Sequence, residues 1–332
     1  MPPDAPGRRP AGLRHGRRSP GAGALPTGRV GRLLRGRDSV RARFELIDAE
    51  KANHTVAAMC AWLGVSRPGY YEWRGRPASA TARRREHLKQ LITAVFEASH
   101  ETYGYRRVNR ALARRGEECS AELVRLLMRE LGLVPVQARA FTPTTTEQGD
   151  FRGIPDLVRR DFTAPRPGLK LVGDVTYIPT WEGFLYLATV IDCHSKAVVG
   201  WAMADHYRTE LVVQAIRNAA HTITIEPGAI FHADRGSNYT SDAFGQVLAE
   251  LGMRRSVGRT GVCFDNAMAE SFFSALKNEW LKRYVFTTRA KAKQQVIRYI
   301  EGFYNLRRLH SGVEYRPPLE VLNEYYEQLI AA

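Results

Sequence analysis

The period of the apolar positions changes near residue 169. Before it they recur at three and four, the spacing of helices that bury one stripe. In "TVAAMCAWLGVSRPGYYEWR" Val56, Met59, Cys60 and Leu63 share a face. Gly64 is placed to end that helix. Ser66 caps the next, with Pro68 in its first turn. Tyr70, Tyr71 and Trp73 are expected to close a small core, and 41–80 reads as a helix-turn-helix. "ARRREHLKQLITAVFEA" then sets Leu88, Leu91, Ile92, Val95 and Phe96 on one stripe. "YGYRRVNRALARRG" and "SAELVRLLMRELGLV", the second opened by Ser120, complete a helical segment over 81–135.

Scattered Pro, Thr and Gly over 136–168 predict a linker. The period then shortens. "KLVGDVTYIPT", "FLYLATVIDCHS" and "AVVGWAMA" read as three strands, the second apolar throughout, as a strand covered on both faces should be. "TELVVQAIRNAAHT" is an amphipathic helix, "AIFHAD" a fourth strand, "SDAFGQVLAELGM" a helix and "RRSVG" a short fifth strand. A long helix begins near Asp265. This succession makes one α/β layer system over 169–285. Helices follow over 286–332, and no internal repeat is evident.

Charge adds a partner. The 332 residues carry a formal net charge of +15. Such an excess points to a polyanion, because Lys and Arg neutralise phosphates and release counterions. Arg106, Arg107, Arg110, Arg114 and Arg115 crowd the second helical segment without neighbouring acids, which predicts a phosphate-tracking, DNA-binding face. Cys60, Cys119, Cys193 and Cys263 form neither a CxxC pair nor a zinc pattern, and read as reduced thiols. No apolar run approaches a membrane span, and the basic N-terminus lacks a signal-peptide core. A cytoplasmic protein, at the bacterial nucleoid, is expected. Residues 1–40 hold nine Arg, eight Gly, six Pro and no aromatic residue. They are expected to be a disordered arm. A DNA-binding role and GC-rich DNA read out of frame both fit that composition; the second is the reading adopted, making this a mis-assigned start.

Four acids stand out among the strands. Asp174 lies mid-strand in an apolar context, where an unpaired carboxylate is costly. Asp192 ends an apolar strand. Asp234 ends another, in "IFHADRGSNYTS", beside Arg235, which either balances its charge or meets a phosphate. A turn would account for Asp234 alone. Glu270 sits on the later helix, at the edge of the stripe formed by Ala269, Phe273, Leu276 and Trp280. At 100° per residue, Asn266 and Lys277 lie within about 40° of it. Asp174, Asp234 and Glu270 together suit two hard divalent cations, Mg2+ or Mn2+. Two such ions, about 3.5–4 Å apart, serve an in-line displacement at phosphorus, and the three acids are expected to converge around them. Lys277 is placed to hold a DNA phosphate.

The motifs "GDVTYIPT…GFLYLATVIDCHSKAVVGW", "HADRGSNYTS", "DNAMAESFFSALKNE" and "LHSGVEYRPPLE" resemble the integrase-type core of insertion-sequence transposases. The likeness is greatest to the second-reading-frame product of insertion sequence family three, and runs from about residue 44 to 326. It implies a ribonuclease H-like mixed five-stranded sheet flanked by helices, after an all-helical helix-turn-helix region. It implies that Asp174, Asp234 and Glu270 are the catalytic acids, that Lys277 approaches substrate DNA, and that Asp192 is acidic without joining the triad. The implied partners are DNA (element ends and target duplex), further copies of the chain on that DNA, and the first-frame product. No zipper heptads appear here, so the chain is expected to be the second-frame half.

Three activities follow as expectations. The first is metal-dependent cleavage of element ends and strand transfer. The others are a non-catalytic DNA-binding regulator and a ribonuclease H-like nuclease that hydrolyses without joining. The intact acids and the C-terminal helices favour the first.

Overall fold

The computed structural model describes residues 39–77, 79–136, 153–258 and 266–331. The arm, apart from its last two residues, lies outside them. So do 137–152 of the expected linker, Cys263 and the helix start at Asp265. The chain forms two compact units, the first ending at Arg83 and the second running from Arg84.

The first unit holds three short helices, α1 (Val40–Glu50), α2 (Val56–Leu63) and α3 (Arg67–Gly75). Thr55 caps α2, Gly64 closes it at φ 63°, and the Ser66 hydroxyl accepts the Gly69 N–H at 3.1 Å to open α3. Phe44, Ile47, Met59, Cys60, Leu63 and Tyr70 form the core, with Trp73 against it. Tyr71, expected inside, is exposed. Its position next to Tyr70 turns it about 100° away from the buried stripe.

The second unit takes in α4 (Ala80–Ala98) from Arg84 onward, then α5 (Tyr105–Ala113) and α6 (Ala121–Glu130). Their apolar stripes share one interior with the sheet and the C-terminal helices, through Leu88, Ile92, Val108, Leu127, Val172, Leu187, Phe272 and Tyr299 among others. Residues 153–168 are bound to the sheet rather than spanning a gap. The Leu157 N–H donates to Ser256 Oγ at 2.9 Å, and Lys196 Nζ donates to the Phe162 carbonyl at 2.6 Å.

The sheet contains β1 (Lys170–Thr180), β2 (Gly183–Asp192), β3 (Val198–Ala204), β4 (Ile230–Ala233) and β5 (Arg254–Val257) in the order β3-β2-β1-β4-β5. The first three run antiparallel as a meander, while β4 lies parallel to β1 and β5 parallel to β4. This is the ribonuclease H-like arrangement. Alternation divides the strands between two cores. Val172, Ile178, Leu185 and Leu187 face one side. Leu171, Ala188, Val190 and Phe231 face the other, where α7 (Thr209–Thr222), a short α8 (Ser237–Thr240) and α9 (Asp242–Glu250) cover them. The ladder between β1 and β2 spans both strands, but β4 pairs with β1 only from Lys170 to Val172.

On the first face lie α10 (Ala267–Ala275), extended by a π-helical turn over Leu276–Trp280, and α11 (Arg289–Ile297), extended by another over Arg298–Tyr304. The last helix is α12 (Pro318–Ala331). Asn305 closes the edge of β3 with its side chain: Oδ1 accepts the Val198 N–H at 3.0 Å and Nδ2 donates to the Val198 carbonyl at 2.9 Å. An edge strand is blunted where its backbone groups are satisfied in this way. Among the described residues, no helix is long and apolar enough to cross a membrane.

Candidate active site

Asp174 is fixed by its neighbours. A side chain at Gly173 would meet the Phe231 ring at 2.3 Å, so only glycine lets β4 pack across β1 here. The Gly173 carbonyl accepts a hydrogen bond from Asn266 Nδ2 at 3.1 Å, which ties the start of α10 to the strand. The next residue is Asp174, whose carboxylate accepts its nearest N–H, that of Val175, at 2.7 Å.

Asp234 stands exposed just past the end of β4, its Oδ1 accepting the Gly236 N–H at 3.0 Å. Glu270 projects half-buried from the first turn of α10.

The electrostatics join these three. Burial holds Asp174 well above the usual carboxylate range, and the charges of Asp234 and Glu270 push it the same way, against the Val175 hydrogen bond and Lys277. Asp234 is raised by the protein around it, opposed by the Gly236 N–H. Glu270 is raised by burial and by Asp234. Asp234 thus acts on both Asp174 and Glu270, and Glu270 on Asp174. Among the described residues, however, no three His, Cys, Asp or Glu side chains stand close enough to ligate a metal ion. The convergence is one of charge, short of ligand distance. Three partly desolvated carboxylates repel one another, and only a counter-charge offsets that.

The remaining donors suit a hard cation. The acids offer oxygens, and the Oδ1 of buried Asn266 has no hydrogen-bond partner within the protein. A hard divalent ion or its water shell takes oxygen donors. A buried acceptor left unpaired is an uncommon expense that such a ligand would remove.

Lys277 lies in the π-helical turn that follows α10. Burial lowers its pKa while Asp174 raises it, so the ammonium and that carboxylate are neighbours. Its Nζ sits 5.3 Å from the centroid of the Tyr177 ring. Tyr207, absent from the sequence expectations, also borders the site. Burial and the charges of Asp234 and Asp174 push its hydroxyl up to about 12. Its position in the loop after β3 gave no periodic signal.

Other expected residues have different work. Arg235 Nε donates to the Gly258 carbonyl at 2.7 Å, which bridges the ends of β4 and β5. Asp192 is wholly buried and accepts the Gly168 N–H at 3.1 Å and the Ser195 N–H and hydroxyl at 2.7 Å, so it holds the turn between β2 and β3. The arginines of α5 do not make one uniform face. Arg107 Nε donates to the Leu309 carbonyl at 3.0 Å, and Arg114 pairs with Glu320 on α12 at 2.5 Å. Arg110 lies over the Tyr315 ring and Arg106 over Tyr105. Arg106, Arg110, Arg114 and Arg115 are exposed, and Arg107 is half-buried.

A five-stranded sheet of this order, flanked by helices and preceded by a helical region, is the fold of the integrase-type polynucleotidyl transferases. The comparisons agree. The Integrase core domain family matches residues 164–263, a second Integrase core domain model matches 251–318, and an HTH-like domain model matches 83–141. The transposase for insertion sequence element IS904 of Lactococcus lactis subsp. lactis (strain IL1403) is 38% identical over 70% of this chain and 92% of its own length. Transposase InsF for insertion sequence IS3A of Escherichia coli (strain K12) is 34% identical over 81% and 94%. The magnesium complex of the HTLV-2 integrase catalytic core domain is 16% identical over 48% of this chain and 98% of that one, with a TM-score of 0.38. The chain belongs to the family of insertion-sequence transposases related to IS3, and its function is that of a transposase.

Proposed function

We propose that Asp174, Asp234 and Glu270 hold two divalent cations, Mg2+ or Mn2+, and that the chain uses them as a DDE-type transferase on DNA. When bound, such ions activate the attacking oxygen and stabilise the leaving one. In cleavage, water attacks the phosphorus at an element end. A new P–O bond forms, the P–O3′ bond breaks, and the strand leaves with a 3′-OH. In joining, that hydroxyl attacks a phosphodiester of the target duplex. One P–O bond forms as one breaks, so no external energy source is needed.

The residues divide the work. The three acids supply negative charge where cations are needed, and Lys277 balances Asp174 and meets a DNA phosphate. Asn266 holds Gly173 and turns an unpaired oxygen to the site. Arg106, Arg110 and Arg115 contact phosphates further along. Because an element has two ends, the chain acts as a homo-oligomer on DNA, together with the first-frame product. The observation that carries this reading is one of placement: Asp174 follows the last β1–β4 pair, Asp234 comes directly after β4, and Asn266, at the start of the helix that carries Glu270, is bonded to Gly173 next to Asp174.

The test is an assay of purified protein with labelled element ends and Mg2+ or Mn2+, resolved on a sequencing gel. Nicked and joined products are expected. Products of hydrolysis with no joined strand would favour a nuclease instead, and binding without either would favour a regulator.

A further inference from the structure

Large rings gathered on an open surface mark an interaction site. One such group lies beside the acids. In the β1–β2 ladder Tyr177 pairs with Tyr186, and Pro179 with Phe184. Alternation places Tyr177, Phe184 and Tyr186 on the side of the sheet opposite to the one Asp174 faces, so the group reaches the acids at the sheet's edge, through Tyr207 and Lys277. The ring centroids follow in a chain: 4.9 Å from Tyr177 to Phe184, 6.2 Å to Tyr186 and 5.7 Å on to Tyr207. Tyr177, Phe184 and Tyr207 remain 54%, 48% and 44% exposed. Rings with about half their surface in water leave apolar area to a partner.

The strip is continuous with the catalytic space. A Cβ on Gly236 would stand 2.9 Å from Asp234 Oδ1 and 3.4 Å from the Tyr207 hydroxyl oxygen, so the last ring touches the loop that carries Asp234. Cations border the other end. Lys277 stands over Tyr177, and Arg289 Nε donates to the Phe184 carbonyl at 3.1 Å. The strip is also held firmly. The Trp181 N–H at the hairpin tip donates to the Phe286 carbonyl at 3.1 Å, and the Arg289 N–H donates to Glu182 Oε2 at 2.8 Å. A platform fixed in advance loses little freedom when something lands on it.

We propose that Tyr177, Phe184, Tyr186 and Tyr207 form a stacking platform for unpaired DNA bases, which holds a frayed or single-stranded stretch beside the acids. The inference rests on the reading given under Proposed function. Aromatic rings take the faces of bases with little regard to sequence, and cations take the intervening phosphates. A duplex hides its base faces, so the platform discriminates between unpaired and paired strands. The cations at its rim choose the occupant. A second copy of this chain would bring a further net charge of +15 towards those cations. A polyanion with flat apolar faces meets rings and charges together.

The experiment uses the full chain in EDTA, so that no strand is cut. Anisotropy is measured on a labelled single strand and on the same sequence as a duplex, for the parent, Phe184→Ala and Phe184→Tyr. Phe184→Ala is expected to weaken single-strand binding roughly ten- to a hundredfold while changing duplex binding by less than about twofold. Phe184→Tyr should restore the parent affinity, and thermal melting should show that both variants fold. Unchanged single-strand affinity, or an equal loss on both DNAs, overturns the platform. So does a fall in sedimentation mass on removing the ring, which would assign the strip to self-association. A parent that binds neither DNA sinks the transferase reading itself. A parent that binds duplex in EDTA and cleaves element ends once Mg2+ is added, with Phe184→Ala indistinguishable from it on single strands, sinks only the platform.

Discussion

Arg308 grips Glu279 with two hydrogen bonds, Nε to Oε2 at 2.7 Å and Nη2 to Oε1 at 2.5 Å, and both residues are buried. The Tyr299 hydroxyl donates to the same carboxylate at 3.1 Å, and Arg107 Nη1 lies 3.8 Å from it. Glu279 sits in the π-helical turn after α10, Arg308 beyond α11 and Arg107 on α5. One carboxylate therefore joins three segments around the helix that carries Glu270.

Breaking this pair leaves a charge without compensation. Glu279→Ala should destabilise the second unit by about 3–5 kcal/mol, the cost of stranding a buried partner. Urea unfolding followed by circular dichroism measures it. A midpoint equal to the parent's would mean that water replaces the carboxylate.

Asp234→Asn should abolish nicking and joining while DNA affinity stays about the same. The amide keeps the carboxylate's shape and loses its charge, which is what a cation needs. The element-end gel assay and anisotropy together check it. Full activity in the variant would remove Asp234 from the catalytic role.

The arginines of α5 and of the turn after it should separate by their contacts. Arg106→Ala and Arg115→Ala should each make the log–log salt dependence of DNA binding shallower by about one unit. Arg107→Ala should lower stability instead, because its guanidinium serves Leu309 and Glu279. Binding titrations at several salt concentrations, paired with melts, distinguish the two. Identical salt slopes for parent and Arg106→Ala would show that no phosphate sits there.

His310 supplies a pH dependence. Burial and the charges of Arg308, Lys196 and Arg107 push its imidazole down to about 3, and the neutral Nδ1 accepts the Gly312 N–H at 3.1 Å. The unfolded chain takes up a proton near pH 6.5, whereas the folded chain does so only near 3. Stability is thus complete above about pH 6.5 and is lost as pH falls towards 3, by on the order of a few kcal/mol. Denaturant midpoints of parent and His310→Gln between pH 7 and 4 test the sign. The parent should fall more steeply; parallel curves would clear His310.

Local chemistry was legible and distant partnership was not. The strand β1 and the helix α7 have the bounds that their apolar periods predict, because burial on defined faces writes those periods. The four-residue α8 is too short to show one. The π-helical turns leave no periodic mark either, since a single extra residue per turn shifts a stripe without erasing it. Arg107 looked like one member of a basic face because Glu279 and Leu309 lie far along the chain. Tyr207 showed its importance only when the fold brought it to Asp234. Asp174 stood out in the sequence because a carboxylate in an apolar strand costs too much desolvation to be there idly.

The short fourth strand has a consequence of its own. Beyond Val172, β1 has lost β4 as a neighbour while β2 continues beside it to Thr180. Asp174 lies just past that departure. The notch at the acids is thus made by where a ladder stops, before any particular side chain is chosen. Two further pairs on β4 would draw Ala233 and Asp234 into the ladder and shut it. Strand length is then a determinant of activity that residue-by-residue substitution would never reveal, and an insertion after Ala233 would reach it directly.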